Sequence, residues 1–112
     1  MWWRLLVLSA LTLTACTISY DADRIEQGQA AIKQLAISRA EEIYRQKIAE
    51  GIDLSAGPCL TENLIDDWVA DIAHNPRQTI DDLPENQCQN YRNGLTKHFV
   101  ELDLNGKLII AN

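Results

Sequence analysis

The chain is predicted to fold as an α+β protein with a long N-terminal helix, two shorter helices and a C-terminal β-hairpin. Three observations predict it. Apolar residues recur at helical spacing between residues 24 and 50. Capping and breaking signals divide residues 61–94 into two further helices, and the chain from His98 onward switches to strand-like alternation around a glycine turn. A length of 112 residues, 46% of them hydrophobic, is room for one small core and not for two.

The first helix is expected over Arg24 to Glu50, with Ile25, Ile32, Leu35, Ala36, Ala40, Ile43, Tyr44 and Ile48 on a broad core-facing stripe. Gly28 weakens its first turns by about 1 kcal/mol relative to alanine, so the firm part is expected from Gln29, and Gly51 ends it. Ile52 to Leu60 is a loop. Thr61 then caps a second helix that runs to His74, with Leu60 and Ile65 as a hydrophobic staple and Leu64, Ile65, Trp68, Val69 and Ile72 as its apolar face. Pro76 stops it by disfavouring helix at Asn75. Gln78 to Ile80 is a candidate edge strand. Asp82-x-x-Glu85 reads as a capping box with Pro84 in the first turn, giving a third helix through Arg92 that stops at Gly94 and carries Cys88 and Tyr91 on its inner face.

The hairpin is expected from His98 to Ala111, with Leu104-Asn105-Gly106 as its loop and Gly106 at positive φ. Side-chain matching sets Asp103 opposite Lys107, Leu102 opposite Leu108 and Val100 opposite Ile110, which puts Val100, Leu102, Leu108 and Ile110 on one buried face and His98 at its rim.

A net charge of −6 is the wrong sign for phosphate backbones, so nucleic acid is not expected as a partner. Within residues 62–85, Glu62, Asp66, Asp67, Asp71, Asp81, Asp82 and Glu85 face Arg77 alone, a run read as solvated surface that keeps the domain off anionic headgroups.

Met1-Trp2-Trp3-Arg4 is a short positive segment, and Leu5 to Thr14 is an apolar run too short to cross the ~30 Å hydrocarbon core comfortably. With Leu13-Thr14-Ala15-Cys16 after it, this stretch resembles the lipobox signal peptide of bacterial lipoproteins. The resemblance implies removal of residues 1–15, diacylglycerol on Cys16, a further acyl group such as palmitate on the new amine, and a place in the cell envelope facing the periplasm or exterior. Two or three acyl chains anchor stably where one is marginal. Thr17 in place of Asp resembles lipoproteins sent on to the outer membrane of double-membrane bacteria. Residues 16–30 are then a lipidated tether and the start of the first helix, and residues 31–112 a small α+β domain. Loss of Arg4 takes the side-chain charge to −7.

Export would put Cys59 and Cys88 in an oxidising compartment, and with Cys16 lipidated the remaining thiols are even in number, so one Cys59–Cys88 disulfide is expected. Closing a loop of roughly 30 residues contributes about 3.6 kcal/mol in the chain-entropy account. Two rival chemistries use the same thiols. A zinc set of Cys59, His74, Cys88 and His98 lacks the short ligand pairs that fix two ligands locally, and a catalytic thiol with His98 as base needs a reduced cysteine.

Asp67, Asp71 and His74 fall at i, i+4 and i+7, within about 60° on the second helix, a usable spacing for metal ligands or a carboxylate–histidine pair, but the reading adopted is a solvated helix face with His74 near the C-terminal dipole. Glu101-x-Asp103-x-Asn105-Gly106 resembles the start of an EF-hand loop but lacks its first Asp, its closing Glu and its exit helix. No Ser/His/Asp motif, phosphate-binding glycine loop or cofactor fingerprint is present, so no catalytic residue, metal or cofactor is assigned. The candidate ligand or partner surface is Asp71, His74, Asn75, Arg77 and His98.

The stretches Asp67 to Arg77, Pro84 to Cys88 and His98 to Asp103 resemble motifs of small microbial proteins of unknown function over roughly residues 31–112, which implies an independent domain and no particular activity. The expected role is a membrane-anchored binding or structural module of the envelope, partnered by the membrane through Cys16 and by an envelope protein. The alternative is a small extracytoplasmic enzyme or ligand receptor with its site between Asp71–Arg77 and His98. A concave pocket joining those residues favours the alternative, and a convex charged surface favours the module.

Overall fold

The computed structural model describes the backbone of residues 15–112 and the side chains of residues 21–112; the expected signal segment and the lipidated Cys16 lie outside the residues described in full. The chain divides into a unit ending at Ala31 and a second unit, Ile32–Asn112. Helix α1 spans Ala15–Ala49. It runs through Gly28 and starts well before Arg24, because one glycine costs about 1 kcal/mol and does not break a helix of this length. Its stop is as expected: Gly51 takes φ +76° while Ile52 N–H bonds the Lys47 carbonyl at 3.0 Å. Among the described residues no helix is long and apolar enough to cross a membrane.

In the second unit, strands β1 (Cys59–Ile65), β2 (Trp68–Ile72), β3 (His98–Leu102) and β4 (Leu108–Ala111) form one sheet in the order β1-β2-β3-β4. The β1/β2 and β3/β4 pairs are antiparallel and β2/β3 is parallel. One face of this sheet packs on α1. Ala36 and Ala40 are fully buried there against Leu60, Leu64, Trp68, Ala70, Ile72, Val100 and Leu102, with Ile37, Ile43 and Tyr44 alongside. The two alanines are the short side chains that let helix and sheet approach. Of the expected helix stripe, Ile25, Ile32, Leu35 and Ile48 are instead exposed, Ile25 to 63% and Leu35 to 60%, so the core-facing positions are a narrower set than the apolar pattern implied.

The second helix is corrected to a β-hairpin. Leu64, Ile65, Trp68, Val69 and Ile72 mimic helical spacing because a turn at Asp66-Asp67, with Asp67 at φ 62°, resets the strand phase between them. In addition β2 is a central strand with apolar residues on both faces, which erases alternation. Thr61 does bond a nearby N–H, that of Asn63 at 3.2 Å, but inside a bulged strand and not as a helix cap. Asp67, Asp71 and His74 consequently share no helix face.

A parallel pair needs a long return, and residues 73–97 supply it across the other face of the sheet. The third helix is shorter than expected: this crossover holds 3-10 turns at Thr79–Asp82 and Pro84–Asn86 and one four-residue helix, α2 (Gln89–Arg92). Gln78–Ile80 is therefore not a strand. The Asp82/Glu85 box does not form. Asp81 bonds Gln78 N–H at 2.8 Å, and Glu62 of β1 accepts the Gln89 and Asn90 N–H groups at 2.6 and 2.9 Å, supplying the start of α2 from another element. The Cys59–Cys88 disulfide, with Cα atoms 4.8 Å apart, ties the crossover to β1 beside that carboxylate.

The C-terminal hairpin keeps its expected register at the loop and loses it beyond. Leu102 faces Leu108, Asp103 N–H bonds the Lys107 carbonyl at 2.8 Å, and Gly106 has φ +79°. A bulge between Glu101 and Leu102 then pairs Glu101 with Ile110 and Val100 with Ala111. Val100 and Leu102 are buried as expected, whereas Leu108 and Ile110 are about half exposed on the edge strand. The loop docks on α1: Tyr44 OH donates to the Leu104 carbonyl at 2.7 Å, and a Cβ on Gly106 would lie 2.5 Å from the Tyr44 ring.

Gly106→Val combines a left-handed backbone, costing roughly 1 to 2 kcal/mol, with displacement of Tyr44, so it should destabilise the fold by more than the backbone term, while Asn105→Asp should change stability little; urea denaturation measures both. Replacing both Cys59 and Cys88 by alanine should cost on the order of 2 to 5 kcal/mol, and thiol trapping of wild-type protein before denaturation should find neither cysteine free.

Candidate functional site

Alternation along β2 and β3 sends Trp68, Ala70, Ile72, Val100 and Leu102 into the helix-facing core and leaves Val69, Asp71, Phe99 and Glu101 on the face under the crossover. Parallel pairing sets Asp71 level with Glu101, so the two acids stand side by side on adjacent strands and on the same face of the sheet. The crossover closes over them with Arg77, Gln87, Cys88, Tyr91 and Arg92, leaving a cavity of about 310 Å³. Tyr91 meets Phe99 edge to face at 4.9 Å, forming an aromatic wall.

Arg77 is held by two carboxylates, Nη1 to Glu101 Oε2 at 3.2 Å and Nε to Asp82 Oδ1 at 2.8 Å, and Nη2 reaches the Asp81 carbonyl at 3.4 Å. Asp71 receives less. Its Oδ1 accepts the Ile72 N–H at 2.9 Å. Burial first, and then the charge of Glu101, push its carboxyl up to about 8, against the opposing pull of that N–H and of Arg77. Asp71 is therefore mostly protonated at neutral pH, and the two carboxyl groups together carry one negative charge.

The expected surface is split by the structure. Asp71 and Arg77 come together in the cavity. His74 is turned away and engaged with Asp81, Nδ1 to Oδ1 at 2.9 Å, and Asp81 is only 1% exposed. Burial works to raise the Asp81 carboxyl, but the Gln78 N–H, the His74 ring and the His74 N–H outweigh it and hold the group below its ordinary value. Gly57, at φ +70°, gives this carboxylate its room, since a Cβ there would collide with it. Asn75 is exposed ahead of Pro76 and lies outside the cavity lining. His98 sits at the other end of the paired strands, roughly 10 Å along from Asp71 at 3.3 Å per residue. It stacks on Trp68 at 4.8 Å, with Nε2 3.9 Å from Asp67 Oδ2. The cavity that holds Asp71 is not lined by His98.

A more open hollow of about 370 Å³ lies near the β1–β2 turn, lined by Glu62, Asp66, Asp67, Trp68 and neighbouring residues. Cys59, Glu62 and Cys88 bring potential ligand atoms within 4.8 Å, but the two sulfurs are bonded to each other and Glu62 is committed to α2. The four-residue thiol and histidine set is not assembled: His74 is bonded to Asp81 and His98 is stacked on Trp68.

Sequence reasoning missed Glu101, Tyr91, Arg92 and Phe99 as cavity residues. The signal for two of them was present, because Phe99 and Glu101 alternate with Val100 and Leu102 and so must share the face opposite the core. Comparison with protein-family models, curated proteins and solved structures finds no match.

The raised Asp71 carboxyl makes a signed prediction. Between about pH 4 and about pH 8 the folded protein keeps a proton that the unfolded chain has lost, so this group's contribution to stability falls as pH rises through that range and is level above it. Asp71→Asn should flatten that slope and raise the thermal midpoint at pH 8 by several degrees, measured by circular dichroism across the range.

Proposed function

We propose that the chain is a lipid-anchored module of the cell envelope, attached to a membrane through acyl groups on Cys16 and presenting its disulfide-stapled domain to the periplasm or exterior. The observation that carries this reading is the Cys59–Cys88 bond, because such bonds persist in oxidising, extracytoplasmic compartments. It stands beside the lipobox-like Leu13-Thr14-Ala15-Cys16, which accounts for export and for the third cysteine. An acidic domain suits this place, since net negative charge is repelled by anionic headgroups and leaves the acyl chains as the attachment.

A second reading, a small-ligand receptor, draws support from the cavity that joins Asp71 and Arg77 with Glu101 and the Phe99/Tyr91 wall. It is compatible with anchoring and omits His98 from the site.

Cys16→Ser should abolish incorporation of an azide-bearing palmitate analogue and leave the precursor uncut, because diacylglycerol attachment precedes cleavage in the lipoprotein pathway that the N-terminus resembles. Mass spectrometry of the wild-type membrane fraction should find acylated Cys16 at the new N-terminus. Unmodified Cys16 in that fraction overturns the anchoring reading.

A further inference from the structure

The cavity under the crossover has a chemistry that narrows its ligand. Its floor and one wall are Val69, Phe99 and Tyr91, and its polar end is the side-by-side pair Asp71 and Glu101. Of the cationic groups nearby, Arg77 spans Glu101 and Asp82, and Arg92 sits at the rim with Nη1 3.3 Å from the neutral Gln87 amide oxygen. Asp81 is committed to His74 and to the Gln78 N–H. An anion at the polar end would meet the Glu101 carboxylate, and the guanidinium beside it, Arg77, is already spanned by Glu101 and Asp82. A divalent metal ion would want six or more oxygen ligands, and the walls are aromatic, aliphatic and guanidinium groups.

We propose that this cavity binds a small organic amine, its ammonium group seated between the Asp71 and Glu101 carboxylates and its apolar body against Phe99, Tyr91 and Val69. This rests on the small-ligand receptor reading and names the ligand class for it. A volume of about 310 Å³ is at the small end of ligand pockets and suits a single-ring or short-chain amine. The aromatic wall adds a surface that attracts cations as well as apolar groups.

With Asp71 protonated, the positive charges of Arg77 and Arg92 equal the negative charges of Asp82 and Glu101, and ionisation of Asp71 leaves one negative charge in excess. An ammonium group matches that charge and so makes ionisation of Asp71 favourable. The proton leaves the Asp71 carboxyl for solvent as the ammonium arrives, so binding exchanges one cation for one proton. Affinity then falls as pH drops below the range in which free Asp71 ionises, by up to tenfold per pH unit.

The test titrates the purified full chain at pH 8 with phenethylamine, the neutral isostere 2-phenylethanol and the anion 3-phenylpropionate, following the Phe99 and Tyr91 ring resonances by NMR. Phenethylamine should bind at least tenfold more tightly than either analogue and should weaken progressively from pH 8 to pH 6. Calorimetry at pH 7, in two buffers of different ionisation enthalpy, should detect release of close to one proton on binding. Asp71→Asn should lose tenfold or more of the amine affinity together with its pH dependence, a far larger loss than for 2-phenylethanol, which carries no charge. Equal or tighter binding of 2-phenylethanol or 3-phenylpropionate overturns the amine inference and leaves the receptor reading standing. If none of the three probes moves the Phe99 and Tyr91 resonances, both fall.

Discussion

Parallel pairing of β2 with β3 is the constraint on which the rest of this domain depends. Two parallel neighbours cannot be joined by a tight turn, so residues 73–97 must travel from one end of the sheet back to the other. Because α1 already occupies one face, the return crosses the opposite one, and the face carrying Val69, Asp71, Phe99 and Glu101 becomes covered without being filled. The crossover has little regular structure of its own and is held by side chains and by a covalent bond. Glu62 caps α2, the Cys59–Cys88 disulfide ties the crossover to β1, and the buried Asp81 carboxylate gathers the His74 ring and the Gln78 N–H. The cavity is what remains between a return that has to be long and a sheet too small to be sealed by it.

Two acids in this region show how burial and partners together decide charge. Asp81 is almost completely enclosed, yet backbone and imidazole donors surround its carboxylate and keep it ionised. Asp71 is less enclosed and accepts one N–H bond, and its nearest charged neighbour across the strands is another acid. The first arrangement is structural: its donors are spent within the fold and Gly57 leaves space for it. The second holds a proton because burial and the neighbouring Glu101 outweigh the Ile72 N–H and Arg77, and its charge state therefore responds to what enters the cavity.

Several elements were legible from residue order. Helical spacing around Ala36, Ala40, Ile43 and Tyr44, the Gly51 stop and the turn with Gly106 left-handed all depend on local chemistry, and the pairing of Cys59 with Cys88 was expected once the lipobox resemblance set Cys16 aside. The stretch from Thr61 to His74 was misread as helix for equally local reasons. A threonine bonding an N–H two residues on, and apolar residues offset by a two-residue turn, look the same in a bulged hairpin as at the start of a helix. Part of the site could be reached: Asp71 and Arg77 were singled out, whereas Glu101 was absorbed into the hairpin and His98 was placed beside residues from which the strand register separates it.

By itself, then, the sequence determined the acidity of the chain, the core-facing turns of its long helix and the glycine turn of its last hairpin, because each follows from neighbours along the chain or from composition. Tertiary structure decided that residues 59–72 are strands, that β2 runs beside β3 and that Asp71 faces Glu101. Those outcomes arise where β2 is buried on both faces and loses its period, and where the crossover brings an acid on one strand against an acid on another. The protonation of Asp71 is the clearest case, since its cause is enclosure and a like charge that meet only after the chain has returned across the sheet.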